Sequence, residues 1–589
     1  MDMELLTKHL SEASVANITK WLTEPIYAEY KAEVEKMIQN EQWQQLEDAF
    51  FKVIEFGTGG RRGTTGPGSN RINKVTVGES TQALCLYAKQ FGPDAPAKGI
   101  VIACDTRLSS PELSQYAARV CAGNGFKTYI FEGFRSTPEL SFAVRYLGCA
   151  AGVVITASHN PPADNGFKAY WDDGAQLVAP HDKGVLELGE GITEIHTADF
   201  DEAVAAGTIS IIGGEIDKAY VAAAASEAVG TARDISIAYS PLHGAGQTNV
   251  LPVLEAAGFV QVKPVAAQMV PDGNFPTIEN GKPNPEEKPA NDRVVAQLLA
   301  EEADIAITND PDADRFGIMV RQDDEPVYLS GNQSVALAAD YVLQKMQTAG
   351  TLTPKHFVAK TIVTTDLIAA LAEHYGVKTY GNLLIGFKYI GELVRLKETE
   401  GETFVMGGEE SFGMLKGSYA RDKDGASGAL MLAEYAAELK ASGKTLYDRL
   451  LELYKEHGVY LERLDTIVAP GADGFAKMQQ IMANLRANPP AAIGATKVTA
   501  VLDYQTLERT NLTDNSKSSI DCIKGNVVVL ECGDTRRRIT VRPSGTEPKL
   551  KFYVQWFTEP NGNVDEQYTE VQGHLEGLSR ELEGILLEG

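Results

Sequence analysis

The chain has 589 residues, of which 43% are hydrophobic and 23% charged, and its formal net charge is −26 at pH 7. One hydrophobic core cannot serve this length, so we expect roughly four domains. The acidic balance argues against nucleic acid or an anionic membrane as the main partner. The sequence has no run of about 18 apolar residues, no basic-then-apolar leader and no CxxC pair among its six cysteines. These features predict a cytoplasmic protein with reduced thiols.

Residues 1–55 carry apolar side chains at helical spacing and predict a helical extension. The glycine-rich segment Phe56–Arg71 follows, and it contains Arg61, Arg62 and Arg71. Glycine-rich stretches are often linkers, but linkers rarely concentrate arginine. We therefore favour an anion-binding loop, in which the bare backbone can approach a ligand closely.

From residue 99 onward, apolar strands alternate with helices in three similar stretches, which is an internal repeat. The third strand of each stretch leads into a polar loop, which holds Ser158 in the first, Asp310–Arg315 in the second and Gly407–Gly413 in the third. This pattern predicts three βαβαβ units with mostly parallel sheets, whose loops converge on one cleft.

After about residue 465 the pattern changes to short strands with flanking helices, which predicts a smaller α+β domain. The predicted fold class is α/β with four domains. Their expected boundaries are residues 1–215 for the first unit with its helical extension, 216–328 and 329–465 for the next two, and 466–589 for the last.

The stretch Gly152–Pro162 predicts a buried strand that ends in a polar turn carrying Ser158. Asn160 and the two prolines after it oppose both a continued strand and an immediate helix, so the serine sits on a stiff loop. Ligands of open α/β sheets bind outside the carboxyl ends of the strands. Taken on its own, this segment also fits an ordinary strand-to-loop turn.

Asp310, Asp312 and Asp314 present three carboxylates within five residues at the end of a strand. Their mutual repulsion makes a divalent cation the natural partner. An EF-hand fits less well, because Arg315 and Arg321 occupy the positions of its glycine and its last glutamate. Asp310 could instead be the nucleophile of a phosphatase, or the segment could be a solvated acidic turn, and we favour metal binding over both.

Two later loops carry groups suited to a phosphorylated sugar. Glu409 and Ser411 offer acceptors and a hydroxyl to sugar hydroxyls, although a plain turn is the more ordinary explanation. The segment Arg542–Lys549 combines one arginine, one lysine, two hydroxyls and a glycine, and it predicts a phosphate cradle. The basic run Arg536–Arg538 just upstream either adds to this cradle or forms an exposed face.

Four of these loops together resemble those of the α-D-phosphohexomutase superfamily, and the chain is most similar to its long phosphoglucomutase branch over nearly its whole length. They are the serine loop Thr156–Pro162 with Asn165–Lys168, the metal loop Asp310–Arg315, the sugar loop Gly408–Gly413 and the phosphate loop Arg542–Thr546. The resemblance implies four domains around a deep cleft. It leaves open whether the protein is a monomer or a dimer.

The resemblance implies that Ser158 is phosphorylated and that Mg²⁺ is held by Asp310, Asp312, Asp314 and an oxygen on Ser158. The implied partners are small-molecule sugar phosphates. Glucose 1-phosphate would accept the phosphoryl group, glucose 1,6-bisphosphate would turn over within the cleft, and glucose 6-phosphate would leave.

The resemblance also implies roles for further side chains. Lys168 and Arg62 flank the reacting oxygen, and cations around Lys168 would lower its pKa so that it acts as a base. His159 would orient the serine or its phosphate. The remaining implied contacts to the sugar phosphate come from Glu409, Ser411, Lys423, Arg315, Lys388, Arg542, Ser544, Gly545 and Thr546.

The sequence departs from the family pattern at Arg61, where relatives usually carry an apolar residue, and in the loop Gly386–Tyr389. The second departure leaves the sugar selectivity open. Mannose, pentose or glucosamine phosphate are alternative substrates. Alternative activities are a glucose 1,6-bisphosphate synthase, a metal-dependent sugar-phosphate phosphohydrolase and an inert sugar-phosphate binding protein.

Overall fold

A computed structural model describes residues 3–55, 60–469, 472–544 and 549–588. The chain forms two compact units. Unit 1 comprises Met1–Ala228, Ser236–Gly317 and Gly417–Leu430, and unit 2 comprises Val229–Ile235, Ile318–Lys416 and Met431–Gly589.

Unit 1 begins with four helices, as the apolar spacing predicts: α1 (Met3–His9), α2 (Glu12–Thr23), α3 (Lys31–Gln39) and α4 (Trp43–Phe50). The Ser11 hydroxyl caps α2 by accepting the backbone N–H of Ser14. The helices bury a core of their own, which includes Leu6, Ile18, Trp21, Leu46 and Phe50.

The first sheet has six strands in the order β1-β5-β4-β2-β3-β6. Its strands are β1 (Arg61–Thr64), β2 (Ile100–Cys104), β3 (Thr128–Phe131), β4 (Ala151–Ile155), β5 (Asp164–Trp171) and β6 (Ile209–Ile212). Four of them, β2, β3, β4 and β6, are parallel, whereas β5 is antiparallel to both β4 and β1. The chain therefore turns back as a hairpin after the serine loop.

Seven helices accompany this sheet: α5 (Lys74–Phe91), α6 (Ala95–Lys98), α7 (Ser110–Gly123), α8 (Thr137–Leu147), α9 (His181–Gly189), α10 (Phe200–Ala205) and α11 (Gly214–Ala225). Every residue of β2 and β4 is buried, as expected for apolar strands covered on both faces.

The second repeat places β7 (Ile237–Ser240) between the parallel strands β8 (Val262–Pro264) and β9 (Ile305–Asn309). Its helices are α12 (Val250–Ala256) and α13 (Lys288–Ala300), and 3₁₀ turns span Ala245–Gln247 and Ala266–Gln268. The next two strands, β10 (Phe316–Gln322) and β11 (Glu325–Leu329), pair antiparallel.

The third sheet, in unit 2, has the order β13-β12-β14-β15. Its strands are β12 (His356–Thr361), β13 (Lys378–Leu383), β14 (Thr403–Glu409) and β15 (Gly413–Lys416). Only β15 is antiparallel. The helices of this part of the chain are α14 (Gly331–Thr348), α15 (Leu367–His374), α16 (Phe387–Thr399), α17 (Gly425–Ala441) and α18 (Leu446–His457).

The last sheet is antiparallel, in the order β16-β24-β23-β22-β19-β20-β21. Its strands are β16 (Val459–Val468), β19 (Ala500–Asp503), β20 (Glu508–Asn511), β21 (Lys517–Ser519), β22 (Val528–Cys532), β23 (Asp534–Pro543) and β24 (Lys549–Thr558). The short strands β17 (Ala492–Ile493) and β18 (Thr496–Lys497) form a separate ladder, and the helices are α19 (Ala472–Ala487) and α20 (Val564–Glu588).

The predicted fold class is confirmed: three α/β repeats precede a strand-rich C-terminal part. The four domain boundaries remain a prediction. Among the described residues, no helix is both long enough and apolar enough to cross a bilayer.

Candidate active site

Ser158 sits at the tip of the loop between β4 and β5, where only 2% of its surface is exposed. Its φ angle is +51°, a left-handed conformation that costs a non-glycine residue energy and often marks a functional site. The Thr156 hydroxyl accepts the serine N–H at 2.8 Å. The serine hydroxyl donates to Asp310 Oδ2 at 2.7 Å, so the predicted nucleophile and the predicted metal loop meet directly.

Arg107 holds this loop in place, a role that was not predicted from the sequence. Its guanidinium donates to four loop carbonyls, those of Ser158, Asn160, Pro161 and Asp164, at 2.5–2.8 Å. Asp105 lies 3.2 Å from Arg107 Nε and accepts a hydrogen bond from Thr156 Oγ1 at 2.6 Å. The signal was present in Asp105–Thr–Arg107, the polar end of the first strand.

Asp310, Asp312 and Asp314 are buried, and one oxygen of each lies within 4.8 Å of the others. Asp310 Oδ1 accepts the backbone N–H of Arg315 at 3.1 Å. Asp312 Oδ2 accepts from Thr137 Oγ1 at 2.7 Å. Burial and the two neighbouring carboxylates raise the pKa of Asp310 well above its ordinary value.

The cluster fits a divalent cation. Among the described residues, Asp312 Oδ1 and Asp314 Oδ1 are buried without a hydrogen-bond donor. A buried carboxylate oxygen without a partner is costly, and carboxylate oxygens are the ligands of Mg²⁺ and Ca²⁺. The residues that could hold such an ion are therefore the three aspartates, with Ser158 beside them.

Lys168 lies on β5 and donates to Asp312 Oδ2 at 2.6 Å and to Asp314 Oδ2 at 3.2 Å. Burial disfavours its charge, but the two carboxylates outweigh burial and raise its pKa. The expected lowering of this pKa by surrounding cations is wrong, because the nearest charges are anionic.

Arg62 and His159 also lie beside the serine loop. Arg62 sits on β1 opposite Gly166 of β5 and donates to Asn160 Oδ1 at 3.4 Å. A side chain at Gly166 would collide with the carbonyls of Thr156 and Arg61, which explains the glycine. His159 Nδ1 is 3.2 Å from the hydroxyl of Ser158, close enough to orient it.

Lys423 reaches the same cluster from the segment between β15 and α17 and contacts Asp314 Oδ2 at 2.8 Å. Asp422, next to it, lies 3.5 Å from the ammonium group and accepts from the Tyr170 hydroxyl at 2.7 Å. Gly425 at the start of α17 packs so closely on the metal loop that a Cβ would lie 2.4 Å from Asn309 Nδ2. Tyr170 and Asp422 were not predicted as site residues.

Two arginines near the cluster behave differently. Arg315 pairs with Glu286 at 2.6 Å and lies 3.9 Å from Asp314 Oδ1. Arg61, the departure from the family pattern, turns into the helical layer, where it donates to the Thr76 carbonyl at 3.0 Å and lies 3.6 Å from Glu79. These contacts indicate a packing role for Arg61.

Unit 2 carries the predicted sugar and phosphate loops. Glu409 is buried at the end of β14, where it accepts the backbone N–H of Gly386 at 3.0 Å, and Ser411 lies in the turn to β15. Lys388 is buried in the first turn of α16. Arg542 is at the end of β23, and the Ser544 N–H donates to the Lys549 carbonyl at 2.7 Å. Gly545 and Thr546 lie outside the described residues.

Comparison with known proteins supports the family resemblance inferred from the sequence. Models of the alpha/beta/alpha domains I, II and III of phosphoglucomutase/phosphomannomutase match residues 53–196, 218–323 and 330–457. The chain is 35% identical over 528 residues to the phosphoglucomutase of Staphylococcus haemolyticus, covering 86% of this chain and 91% of that protein. It is 34% identical to the phosphoglucomutase of Staphylococcus aureus strain N315, covering 86% and 90%.

Two solved structures show the same fold. Paramecium pp63/parafusin, a phosphoglucomutase in its open form, has a TM-score of 0.65 and 18% identity over 90% of this chain and 96% of its own. A phosphoglucomutase/phosphomannomutase family protein from Burkholderia thailandensis has a TM-score of 0.62 and 19% identity over 89% and 97%. The chain belongs to the phosphoglucomutase/phosphomannomutase family.

Proposed function

We propose that the protein is a phosphoglucomutase that interconverts α-D-glucose 1-phosphate and glucose 6-phosphate through a phosphorylated Ser158 and glucose 1,6-bisphosphate. One observation carries the proposal: the serine hydroxyl donates to Asp310 within a buried cluster of three carboxylates. A hydrolase that used Asp310 as nucleophile would have no need of a rigidly held serine at this place.

The charges around the serine support a phosphoryl site. A dianionic phosphoryl group on Ser158 would be repelled by Asp310 unless a cation lies between them. The unsatisfied oxygens of Asp312 and Asp314 suit that cation, for which we propose Mg²⁺. A bound Mg²⁺ would neutralise charge on the phosphoryl group during transfer.

The chain's own residues would divide the remaining work. In the transfer, the bond between phosphorus and Ser158 Oγ breaks and a bond from phosphorus to the sugar oxygen forms, while the proton of the sugar hydroxyl ends on the serine oxygen that is left behind. Arg107 holds the serine loop still, while Arg62 and Lys168 approach the phosphoryl oxygens as cations. His159 orients the serine oxygen, and Arg315 and Lys423 add positive charge beside the metal loop.

We assign the recognition of the sugar and of the idle phosphate to residues of unit 2. Glu409 and Ser411 would bind sugar hydroxyls, with Lys388 nearby in sequence on α16. Arg542, Ser544, Gly545 and Thr546 would hold whichever phosphate is not reacting. Glucose is the proposed sugar because the relatives at 34–35% identity are phosphoglucomutases.

The test is conversion of glucose 1-phosphate to glucose 6-phosphate with Mg²⁺ and a trace of glucose 1,6-bisphosphate. We expect rapid conversion without release of inorganic phosphate. Ser158→Ala should lower kcat by at least about 10⁴-fold, since the nucleophile is lost. Ser114→Ala is the matched control, because it removes an equally buried hydroxyl that donates to the Pro111 carbonyl at 2.9 Å, within α7.

The alternatives give different products. Steady release of inorganic phosphate would identify a phosphohydrolase, and bisphosphate made from a separate donor would identify a synthase. Faster turnover of mannose or pentose phosphates would reassign the sugar. Mass spectrometry after incubation with glucose 1,6-bisphosphate should find the phosphoryl group on Ser158, and its absence there would contradict the proposal.

A further inference from the structure

The long segment Val270–Glu287, which we call the proline loop, leads from the second 3₁₀ turn of the second repeat to α13. It lies against residues of the first repeat that build the serine site. A Cβ at Gly273 would come within 2.7 Å of Arg107 Cα. A Cβ at Gly281 would lie 3.7 Å from the ring of Pro162, at the end of the serine loop. The proline loop therefore lies close both to the serine loop and to the arginine that holds it.

Phe275 of the proline loop lies under the guanidinium of Arg107. Its ring is fully buried, and Arg107 Cζ is over the ring, 5.3 Å from the centroid. A guanidinium within about 6 Å of an aromatic centroid is attracted by the ring, most strongly where water is excluded. Arg107 is itself only 1% exposed. The four loop carbonyls thus fix the N–H groups of Arg107, while the ring supports its charged end.

Phe275 is held in a conformation that is unfavourable for a large side chain. Its φ angle is +48°, in the left-handed region. Leu242, Ile278 and Ala290 form one buried apolar cluster with it, and Leu242 has a φ angle of +46°. Strained conformations of this kind persist only where the surrounding structure imposes them, and they concentrate at functional sites. The strain indicates that the place of the Phe275 ring matters.

His243 fixes the proline loop at two points. Its Nδ1 is 2.8 Å from the Val270 carbonyl, which can only accept, so Nδ1 carries the hydrogen. Its Nε2 is 2.9 Å from Thr277 Oγ1, which also accepts from Gln268 Nε2 at 2.9 Å. Thr277 therefore donates its single hydrogen to Nε2. These bonds hold the chain on both sides of Phe275.

The turn that carries His243 also packs on the metal loop. The Ala245 N–H donates to the Pro311 carbonyl at 2.8 Å. A Cβ at Gly244 would lie 2.4 Å from Pro311 Cα, so this approach requires glycine. Pro311 follows Asp310, the acceptor of the serine hydroxyl. One turn therefore contacts the metal loop on one side and holds the proline loop on the other.

We propose that Phe275 is a positioning residue, whose ring keeps the Arg107 guanidinium where it bonds the serine loop, with His243 fixing the ring relative to the metal loop. This inference rests on the proposed function. Phosphoryl transfer depends on the placement of Ser158 beside Asp310, whereas the ligand is bound largely by other residues. Loosening the ring should therefore lower kcat more than it raises KM.

The test compares Phe275→Leu with Phe126→Leu, because leucine stays apolar and removes only the ring. Phe126 is also fully buried in unit 1, and Lys89 Nζ lies over its ring at 5.7 Å. It precedes β3 and so lies at the amino end of the parallel strands, away from the serine loop. Phe275→Leu should lower kcat about tenfold with KM within about threefold. Phe126→Leu should change neither by more than about twofold.

A double variant tests whether the ring acts through Arg107. Lysine at position 107 cannot bond the four carbonyls, so the ring then has no guanidinium to orient. Adding Phe275→Leu to Arg107→Lys should therefore lower kcat by less than about twofold further. Fully additive losses would show that Phe275 acts by another route and would overturn the inference.

Hydrogen exchange of the ligand-free protein gives a readout that is independent of the enzyme reaction. Ser158, Asn160 and Asp164 donate their backbone N–H groups within the serine loop and its continuation. In Phe275→Leu their exchange should rise about tenfold, and in Phe126→Leu it should not rise.

Should Phe275→Leu fail to fold, Thr277→Val provides a second variant. It keeps the shape but removes the hydroxyl between His243 and Gln268, which loosens the chain around Phe275. The same two effects, lower kcat and faster exchange in the serine loop, are expected at about threefold.

The outcomes separate the two proposals. Unchanged exchange and unchanged kcat in Phe275→Leu would overturn the role of the ring. Faster exchange with unchanged kcat would show that the ring stabilises the loop without positioning it for transfer, and it would also overturn the inference. A wild-type protein that converts no glucose phosphate would overturn the proposed function, while the exchange experiment would still decide whether the ring holds the serine loop.

Discussion

Each unit contains a buried group of charged side chains, and the two groups differ in whether their polar atoms all have hydrogen-bond partners. In unit 1, Asp310, Asp312 and Asp314 face Lys168 and Lys423, and two carboxylate oxygens have no hydrogen-bond donor among the described residues. In unit 2, both oxygens of Asp366 and all N–H groups of Lys360 and Arg538 have partners. We call the first group open, because two of its carboxylate oxygens lack a donor in the described part of the chain, and the second group closed, because the atoms just named all have partners.

The difference indicates what each group is for. A closed ion group gains nothing from a ligand, and it stabilises one arrangement of its parts because leaving any member unpaired is costly. A cation lowers the energy of an open group, because it supplies positive charge to the carboxylate oxygens that lack a partner. Unsatisfied carboxylate oxygens, rather than the number of charges, therefore distinguish the proposed metal site.

The largest expected effect comes from the open group. Asp312→Asn keeps the shape but removes one anionic ligand, and kcat should fall about 10³-fold. Mg²⁺ should stabilise the wild-type protein by about 2.7 kcal/mol at one hundred times its Kd. Thermal unfolding with and without Mg²⁺ measures this. Asp366→Asn, in the closed group, should leave the Mg²⁺ effect intact, and a loss there would break the comparison.

Arg107→Lys tests how the open group is held in place. Lysine keeps the charge but cannot bond four carbonyls, so Ser158 should move relative to Asp310. We expect kcat to fall about 100-fold, since misplacement of a reacting group by about 1 Å has effects of this size. Steady-state kinetics measure it. An unchanged kcat in a variant that unfolds at a lower temperature would assign Arg107 to stability alone.

Tyr170→Phe removes one of two side-chain donors to Asp422, which lies beside Lys423, and leaves the other, Gln176, in place. The charges of the open group stay the same, so we expect a smaller loss in kcat, about tenfold. Tyr220→Phe is the matched control. It removes an equally buried hydroxyl that bonds Asp424, at 2.6 Å, one residue beyond Lys423. Equal kcat losses in the two variants would mean that the anchor at Asp422 has no special importance.

Glu462→Gln changes a residue next to the closed group, and its effect, which is on the pH dependence of stability, should be the smallest. Burial, partly offset by a bond from Thr365, raises the pKa of Glu462 to about 7, with Lys360, Asp366, Arg538, Tyr454 and Tyr568 facing it. The folded state thus binds this proton more tightly than the unfolded state, so the contribution of Glu462 to wild-type stability should fall as pH rises from about 4.5 to about 7.

In Glu462→Gln this contribution should disappear. Relative to the wild type, the free energy of unfolding of the variant should increase by about 3 kcal/mol between pH 4.5 and pH 8. Urea unfolding at the two pH values measures the difference. Parallel pH profiles for variant and wild type would show that Glu462 does not titrate in this range.

Some of the candidate site follows from local sequence alone. Apolar, β-branched runs such as Val153–Ile155 predict buried strands, and the polar residues directly after them are then expected at the carboxyl ends of those strands. The repeat then places Ser158, Asp310 and Glu409 at equivalent strand ends. The meeting of Ser158 with the aspartates follows from this logic, and the structure has it at 2.7 Å.

The role of each charged side chain, in contrast, depended on tertiary contacts. The sequence does not distinguish the roles of Arg61, Arg107 and Arg538. In the structure the first packs against α5, the second holds the serine loop, and the third connects β23 with the loop after β12. The pKa of Lys168 was predicted in the wrong direction for the same reason, because it depends on Asp312 and Asp314, about 145 residues away in the chain. Sequence periodicity determines which residues are buried and where strands end. Only the folded structure determines which partners a buried charge finds, since electrostatic energies in a low dielectric depend on distances of a few ångströms.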